Sequence, residues 1–147
     1  MHLAQHIETH IDTSDAADTV TLDYEARFLR RKRLVSDGGG PFLVELAETQ
    51  SLNQGEGFRL DDGRIIAVMA AAEPLLAVRH HNLARIAWHV GNRHTPCQIA
   101  DDHILIREDK VLQVMLEGLG ASVTQVTAPF TPEGGAYGHG RTHGHEH

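Results

Sequence analysis

The chain has 147 residues, a mass of 16.2 kDa and a formal charge of −7, with 13 Lys and Arg against 20 Asp and Glu. A hydrophobic fraction of 41% excludes a wholly disordered or collagen-like chain, and a single cysteine excludes a disulfide scaffold. The acidic charge argues against nucleic acid or anionic membrane as a partner. We find no secretory signal or membrane-length apolar stretch and therefore expect a cytoplasmic protein. The unusual feature is its 12 histidines.

The N-terminal half shows the apolar and polar alternation that is typical of half-buried strands. The alternation runs through residues 20–28 and resumes after three glycines in residues 42–46. Asp62-Gly63 then indicates a tight turn before an apolar strand over residues 65–69. We therefore predict a small β-domain over residues 1–72.

A basic run, Arg30-Arg31-Lys32-Arg33, falls within this predicted β-domain. In an acidic protein such a run is more often a solvated or edge-protecting stretch of strand, which is the interpretation we favour. The alternative, a docking patch for a partner protein, stays open.

Three histidines near the start of the chain, His2, His6 and His10, are spaced four residues apart. On a helix this spacing aligns them on one face and permits chelation of one ion by neighbouring pairs. Leu3, Ile7 and Ile11 have the same spacing, however, so a purely structural stripe is the favoured interpretation. An accessory metal site here is the less favoured one.

The second half has a different pattern, in which strands and helices alternate. The predicted segments are a strand over 74–79, a helix over 82–90, a hairpin over 98–99 and 104–106, a helix from 108 to 119 and a strand over 121–127. The order β-α-β-β-α-β is that of the ferredoxin-like fold, with both helices on one face of an antiparallel sheet. We predict an α+β protein with this domain at residues 73–130.

Both predicted helices carry apolar stripes and end near a glycine. Gly91 marks the expected stop of the first helix and Gly120 that of the second, since glycine is common just beyond helix ends. The stripes are Leu83, Ile86, Ala87 and Val90 in the first helix, and Val111, Leu112, Met115, Leu116 and Leu119 in the second.

Residues 131–147 are predicted to form a flexible, disordered tail, because they contain almost nothing apolar to bury. The tail contains four imidazoles, His139, His143, His145 and His147. Imidazole nitrogens bind Ni(II), and also Zn(II) and Cu(II) in vitro, so the composition predicts metal affinity. Composition alone does not distinguish storage, delivery and catalysis.

A second histidine pair lies at the end of the first helix, in the segment Trp88-His89-Val90-Gly91-Asn92-Arg93-His94. On an ideal helix His89 and His94 would point about 140° apart and could not bind the same ion. We expect His89 to have a packing role beside Trp88. We expect His94 to lie at the surface, where the helix ends, and to need ligands from elsewhere.

The second half resembles the urease accessory nickel metallochaperones of the UreE family, and the resemblance extends from about residue 19 onward. The matching segments are Ala71-Ala72-Glu73, Leu83-Ala84-Arg85, the run from Trp88 to Pro96 that contains Gly-Asn-Arg-His, Glu108-Asp109-Lys110-Val111-Leu112, Met115-Leu116, Leu119-Gly120-Ala121, Pro129-Phe130 and Gly134-Gly135-Ala136-Tyr137. The resemblance implies an N-terminal partner-binding domain and a C-terminal domain that binds metal and forms a homodimer.

Carried over to this chain, the resemblance makes His94 a metal ligand that faces its own copy across the two-fold axis of a dimer. Two-fold symmetry presents each surface twice, so one histidine per subunit gives a bis-imidazole site. The tail histidines, within roughly 20 to 25 Å as a flexible coil, would complete the coordination. His89 is implied as a supporting ligand. Some relatives have histidines where this chain has Glu108-Asp109-Lys110, so a peripheral site there is not expected.

The resemblance implies a chaperone, not an enzyme, that carries Ni(II) to the urease accessory GTPase and urease apoprotein. Because only neutral imidazole binds metal, affinity should fall as the pH drops through the histidine range near 6.5. The main alternative is a histidine-rich store or buffer for nickel or zinc. A metal-dependent hydrolase is the least favoured alternative, because no acid or base accompanies the predicted ligands.

Overall fold

The computed structural model describes residues 1–134 and divides the chain into two compact units, Met1–Ala71 and a second unit that begins at Ala72. The elements of the first unit are β1 His2–Glu8, a 3₁₀ helix Thr13–Asp15, β2 Asp18–Leu22, β3 Phe28–Val35, β4 Pro41–Ser51, β5 Gly57–Leu60 and β6 Ile65–Ala70. Those of the second unit are β7 Ala72–Arg79, α1 Leu83–Asn92, β8 Gln98–Ile99, β9 Ile104–Arg107, α2 Lys110–Gly118 and β10 Ser122–Pro129.

The first unit is the predicted β-domain, built on one six-stranded sheet in the order β2-β6-β5-β1-β4-β3. Its alternating strands place apolar side chains in one core, which includes Ala4, Val20, Phe42, Val44, Phe58 and Val68. The Asp62-Gly63 turn is confirmed, with Gly63 at a φ of 90° between β5 and β6. Glycine adopts this left-handed conformation without the steric penalty of a side chain.

The N-terminal segment is a central strand, so the helix considered for His2, His6 and His10 is wrong. β1 pairs with β4 in parallel and with β5 in antiparallel, and Ala4 is fully buried between them. Residues four apart share a face on a strand as well as on a helix, so the histidine spacing did not distinguish the two. Hydrogen bonds to two neighbouring strands outweigh the single turn of apolar stripe that a helix would offer. His10 lies beyond the strand at a φ of 56°.

The predicted strand over residues 20–28 is interrupted by a turn. β2 ends at Leu22, and Asp23 then accepts a hydrogen bond on its side-chain Oδ1 from the Ala26 N–H at 2.9 Å and on its carbonyl from the Arg27 N–H at 3.1 Å. Aspartate favours such turns because its side chain replaces a backbone acceptor. The turn leaves Tyr24 buried, which preserved the apparent alternation in the sequence.

The basic run lies on β3, the strand at one edge of the six-stranded sheet. Residues 30–33 are all exposed, whereas Leu29 and Leu34 on either side of them are buried. The register with β4 shifts between Leu29 and Arg31. An irregular, charged edge strand discourages pairing with other chains, as the edge-protecting interpretation predicts.

The second unit confirms the ferredoxin-like prediction. Its four strands lie in the order β10-β7-β9-β8, with antiparallel neighbours throughout, and the two helices follow β7 and β9. The core contains Leu76, Val78, Ile86, Val90, Ile104, Ile106, Leu112 and Leu116. Neither helix is long and apolar enough to span a membrane, a finding that applies to residues 1–134.

Each helix begins with a side-chain cap. Asn82 accepts a hydrogen bond from the Arg85 N–H in α1, and Asp109 accepts one from the Leu112 N–H in α2. These caps satisfy backbone donors that have no partner within the helix. The predicted stripe of α2 is confirmed except for Val111, which is exposed and lies outside the buried face.

His80 connects the beginning of α1 to the end of α2. Its Nδ1 accepts a hydrogen bond from the Asn82 N–H at 2.9 Å, and its Nε2 lies 3.2 Å from the carbonyl oxygen of Leu119. Because Nδ1 is the acceptor, Nε2 carries the proton and donates to Leu119. One side chain therefore satisfies backbone groups at two helix ends.

We expect His80→Ala to lower the free energy of unfolding by about 1 to 2 kcal/mol, because both hydrogen bonds are lost. Urea denaturation followed by circular dichroism measures the change. His81→Ala is the matched control, since His81 is exposed and stacks on His80 with ring centroids 4.2 Å apart. An equal loss in both variants would contradict the bridging role.

Candidate metal centre

His94 lies immediately beyond α1, in a hydrogen-bonded helix terminus known as a Schellman motif. The His94 N–H donates to the Gly91 carbonyl at 2.9 Å, and the Thr95 N–H donates to the Val90 carbonyl at 3.3 Å. His94 has a φ of 57°, in the left-handed region. The helix cap is Arg93. The motif requires the left-handed conformation at the residue that follows the cap, which is His94.

The end of α2 shows the same motif with the residue that normally occupies this position. Gly120, at a φ of 89°, donates its N–H to the Glu117 carbonyl, and the Ala121 N–H donates to the Leu116 carbonyl, both at 3.0 Å. A left-handed residue other than glycine costs about 1 to 2 kcal/mol. The Gly120 prediction is therefore confirmed, whereas α1 continues through Gly91 and gives the left-handed position to His94.

A cleft of about 560 Å³ opens beside His94. It is lined by Glu73, Pro74, His94, Thr95, Pro96, Arg107, Glu108, Asp109 and Leu112. The lining thus combines one imidazole and three carboxylates with one guanidinium. Such an excess of negative charge attracts cations, and imidazole and carboxylate groups are both ligands for divalent transition metals.

The cleft residues come from separate parts of the ferredoxin-like unit. Glu73 is on β7, Arg107 ends β9 and Glu108 precedes α2, where its N–H donates to the Pro74 carbonyl at 3.3 Å. Asp109 has its carboxylate engaged as the cap of α2. Sequence reasoning missed Glu73 and Arg107, although the β7–β9 pairing of the predicted fold brings these two strands together.

His89 is half-buried on α1 and is absent from the cleft lining. Its ring packs edge-on against Trp88, with the centroids 5.0 Å apart and the planes at 89°. The placement of His89 is that of a packed side chain, which is the role that its helical position predicts.

The chain returns to the neighbourhood of His94 after its last strand. Phe130 is fully buried, the Thr131 N–H donates to the Gln98 side-chain oxygen at 2.9 Å, and the Glu133 N–H donates to the Cys97 carbonyl at 2.8 Å. Residues 131–134 form no helix or strand. Two of them are nevertheless hydrogen-bonded to Cys97 and Gln98, at the start of β8. The predicted tail ligands His139, His143, His145 and His147 lie outside the described residues.

Cys97 is three residues from His94, but its chemistry does not favour metal binding. Burial raises the pKa of the half-buried Cys97 thiol, and the negative charge of Glu133 raises it further. The thiolate, which is the form that binds metals and acts as a nucleophile, is thereby disfavoured. Cys97 packs against the core of the second unit, as expected for a small hydrophobic residue.

Comparison with known proteins gives matches along the chain. The family model described as UreE urease accessory protein, N-terminal domain, matches residues 2–71, and that of the C-terminal domain matches residues 68–147. A protein named urease accessory protein UreE from Ruegeria pomeroyi is 58% identical over 134 residues, which is 91% of this chain and 90% of that protein. Its namesake from Rhodobacter capsulatus is 57% identical over 147 residues, or 100% and 94% of the two chains. Another from Paracoccus denitrificans is 61% identical over 123 residues, or 84% and 79%.

Proposed function

Because the chain belongs to the UreE family of urease accessory proteins, we propose that it binds Ni(II) through His94 and delivers the ion during urease maturation. Relatives are named as accessory proteins, which fits a role other than catalysis. The proposal joins the family assignment to the chemistry of one side chain and the cleft beside it.

The observation that carries the proposal is the left-handed backbone of His94 at the edge of an acidic cleft. A residue retained in a costly conformation, where a glycine would fit better, points to a role for its side chain. The carboxylates of the cleft favour the approach of a cation, and the exposed imidazole of His94 supplies a nitrogen ligand.

One histidine per subunit leaves a nickel ion undersaturated, so we propose that two copies share the ion in a homodimer. The second unit exposes apolar side chains on both helices: Trp88 is 63% exposed, Val111 73% and Val114 66%. Val111 and Val114 lie three residues apart and so share one face of α2, and an exposed apolar face favours burial against a partner surface. We propose that this face meets its copy in the dimer and that the two His94 residues share the ion there.

We propose that the tail supplies further ligands. The last described backbone hydrogen bond of the tail is from the Glu133 N–H to the Cys97 carbonyl, and His139 is six residues beyond Glu133. Six residues span at most about 20 Å. The chain between Glu133 and His139 is therefore short enough to keep at least one tail imidazole near this region. The same ligands would bind Zn(II) or Cu(II) in vitro.

The histidine content also favours a second function, passive storage or buffering of nickel or zinc. An activation assay separates the two. Nickel-loaded protein is mixed with apo-urease and the urease accessory GTPase, and urease activity is compared with that given by an equal concentration of free nickel. We expect the loaded protein to activate urease faster than free nickel does. This advantage should increase several-fold when a chelator binds the free ions. Activation no better than free nickel would favour storage.

A further inference from the structure

A second group of metal-ligating side chains lies in the first unit, where the start of β1 meets the turn between β5 and β6. The Nδ1 atom of His2 is 2.7 Å from Oδ1 of Asp61, and its Nε2 atom is 3.6 Å from Oδ2 of Asp62. Within the described part of the chain, this is the one group of three or more such residues with ligand atoms all within 4.8 Å of one another.

The hydrogen bond to Asp61 determines which nitrogen of the neutral His2 ring carries the proton. A neutral imidazole has one N–H and one lone pair, and only Nδ1–H can donate to the Asp61 carboxylate. The lone pair of Nε2 is then directed to the side of Asp62, so that two electron-pair donors face each other. A cation between them would remove their repulsion.

The distance between these two donors suits a metal ion. Bonds of about 2.1 Å to nitrogen and oxygen that meet at a tetrahedral angle separate the two ligand atoms by about 3.4 Å. The observed separation is 3.6 Å. A metal-bound histidine also usually donates its other N–H to a carboxylate, which is the part that Asp61 has here.

We infer that His2 and Asp62 form a binding site for a divalent transition metal, with Asp61 as the residue that orients the imidazole. One nitrogen and one or two carboxylate oxygens favour Ni(II), Co(II) or Zn(II) over Mg(II), which prefers oxygen ligands alone. Water completes the coordination, since all three residues are exposed. The site is separate from His94 and does not depend on the function proposed above.

The backbone holds the three residues in place. The Asp61 N–H donates to the Leu3 carbonyl at 2.8 Å, and the Leu3 N–H donates to Asp61 Oδ2 at 3.2 Å. The hydrogen bond from His2 is the main cause of the lowered pKa of Asp61, and the backbone hydrogen bond from Arg64 is the main cause of the lowered pKa of Asp62. Backbone hydrogen bonds from Leu3 and Arg64 therefore hold both carboxylates beside His2.

Arg64 competes with a metal for Asp62. Its Nε donates to Asp62 Oδ2 at 2.6 Å, the same oxygen that faces His2. Because the Arg64 side chain is half-exposed, it can move into solvent when a cation binds. The competition predicts that removal of the guanidinium strengthens metal binding, which a purely structural ion pair would not produce.

Residue-specific NMR tests the inference in the full-length chain. Ni(II) is paramagnetic and broadens the amide signals of nearby residues, so a titration at pH 7.5 follows Leu3 and Gly63 separately from other sites. We expect His2→Gln and Asp62→Asn, which each remove a ligand, to require at least about tenfold more nickel for the same broadening. Asp61→Asn, which removes the residue that orients the imidazole, should require about tenfold more. Arg64→Gln should require several-fold less.

Three controls make the outcome decisive. His6→Gln changes another exposed histidine of β1 and should leave the broadening unchanged. Mg(II) should leave the same signals in place. The titration repeated in His94→Ala should give the same result, which separates this site from the proposed nickel carrier. Unchanged broadening in His2→Gln, or no broadening in the parent chain, would overturn the inference. The three residues would then form a hydrogen-bonded cluster without a metal.

Discussion

His94→Ala is expected to remove the tightest nickel site and to lower the nickel affinity by at least about 100-fold, since the proposed dimer would lose two imidazole ligands at once. Equilibrium dialysis with nickel counted by mass spectrometry measures the loss as ions per dimer. Weaker binding by the tail histidines should persist, so the number of weak sites stays the same. His89→Ala is the matched control, because His89 packs against Trp88 and does not line the cleft.

The helix terminus provides a second variant that separates binding from folding. His94→Gly should also lose the tight site, but it relieves the left-handed strain, which costs about 1 to 2 kcal/mol. The greater freedom of glycine in the unfolded chain offsets about 0.5 to 1 kcal/mol of this gain. Because both variants lack the imidazole, we expect His94→Gly to have a free energy of unfolding about 0.5 to 1 kcal/mol higher than that of His94→Ala, measured by urea denaturation without metal.

Two results would contradict these expectations. A tight nickel site that persists in His94→Ala would show that the ligands lie elsewhere. A His94→Gly variant that is less stable than His94→Ala would show that the left-handed backbone at this position carries no strain. The proposal requires that glycine be the more stable of the two substitutions and that both abolish the tight site.

Arg27→Ala is expected to destabilise the first unit by about 3 to 5 kcal/mol. Arg27 is 1% exposed, and its guanidinium donates from Nε to the Leu52 carbonyl at 3.0 Å and from Nη1 to the Leu22 carbonyl at 2.9 Å. It also lies over the ring of Tyr24, with Cζ 5.9 Å from the centroid. Alanine would leave a cavity and deprive two carbonyl groups of charged donors.

Chemical denaturation monitored by circular dichroism measures this loss, with Arg30→Ala as the control. Arg30 is exposed on β3, three residues along the chain, and its loss should cost less than about 0.5 kcal/mol. Arg27→Lys should fall between the two, because lysine keeps the charge but not the planar set of donors. Equal stability of the Arg27 and Arg30 alanine variants would exclude a structural role for the buried guanidinium.

The sequence was sufficient for the ferredoxin-like unit because its elements are determined locally. The apolar stripes of the two helices, the glycine after α2 and the short apolar strands each indicate their own structure. The errors arose where a pattern fits two structures. The spacing of His2 and His6 suits a strand as well as a helix, and the burial of Tyr24 continued an alternation across a turn.

The candidate site was predictable in part. The place of His94 at the helix end predicted that it lies at the surface, and the family resemblance implied that it is a metal ligand. Its Schellman motif was not predicted, because Gly91 is the stronger local stop signal, yet α1 continues to Asn92 with Arg93 as its cap. The acidic cleft depends on side chains from β7 and from the start of α2, which are distant in sequence. The His2 group likewise requires a turn about sixty residues away.

The hydrogen bond between Glu133 and Cys97 has a consequence for how metal occupancy responds to protein concentration. A ligand tethered to the same chain competes at an effective concentration that is set by the tether and is independent of dilution. In the proposed dimer, in contrast, the pair of His94 residues from two chains would separate when the subunits dissociate. On dilution, any contact between His94 and a tail imidazole would therefore outlast the contact between the two subunits.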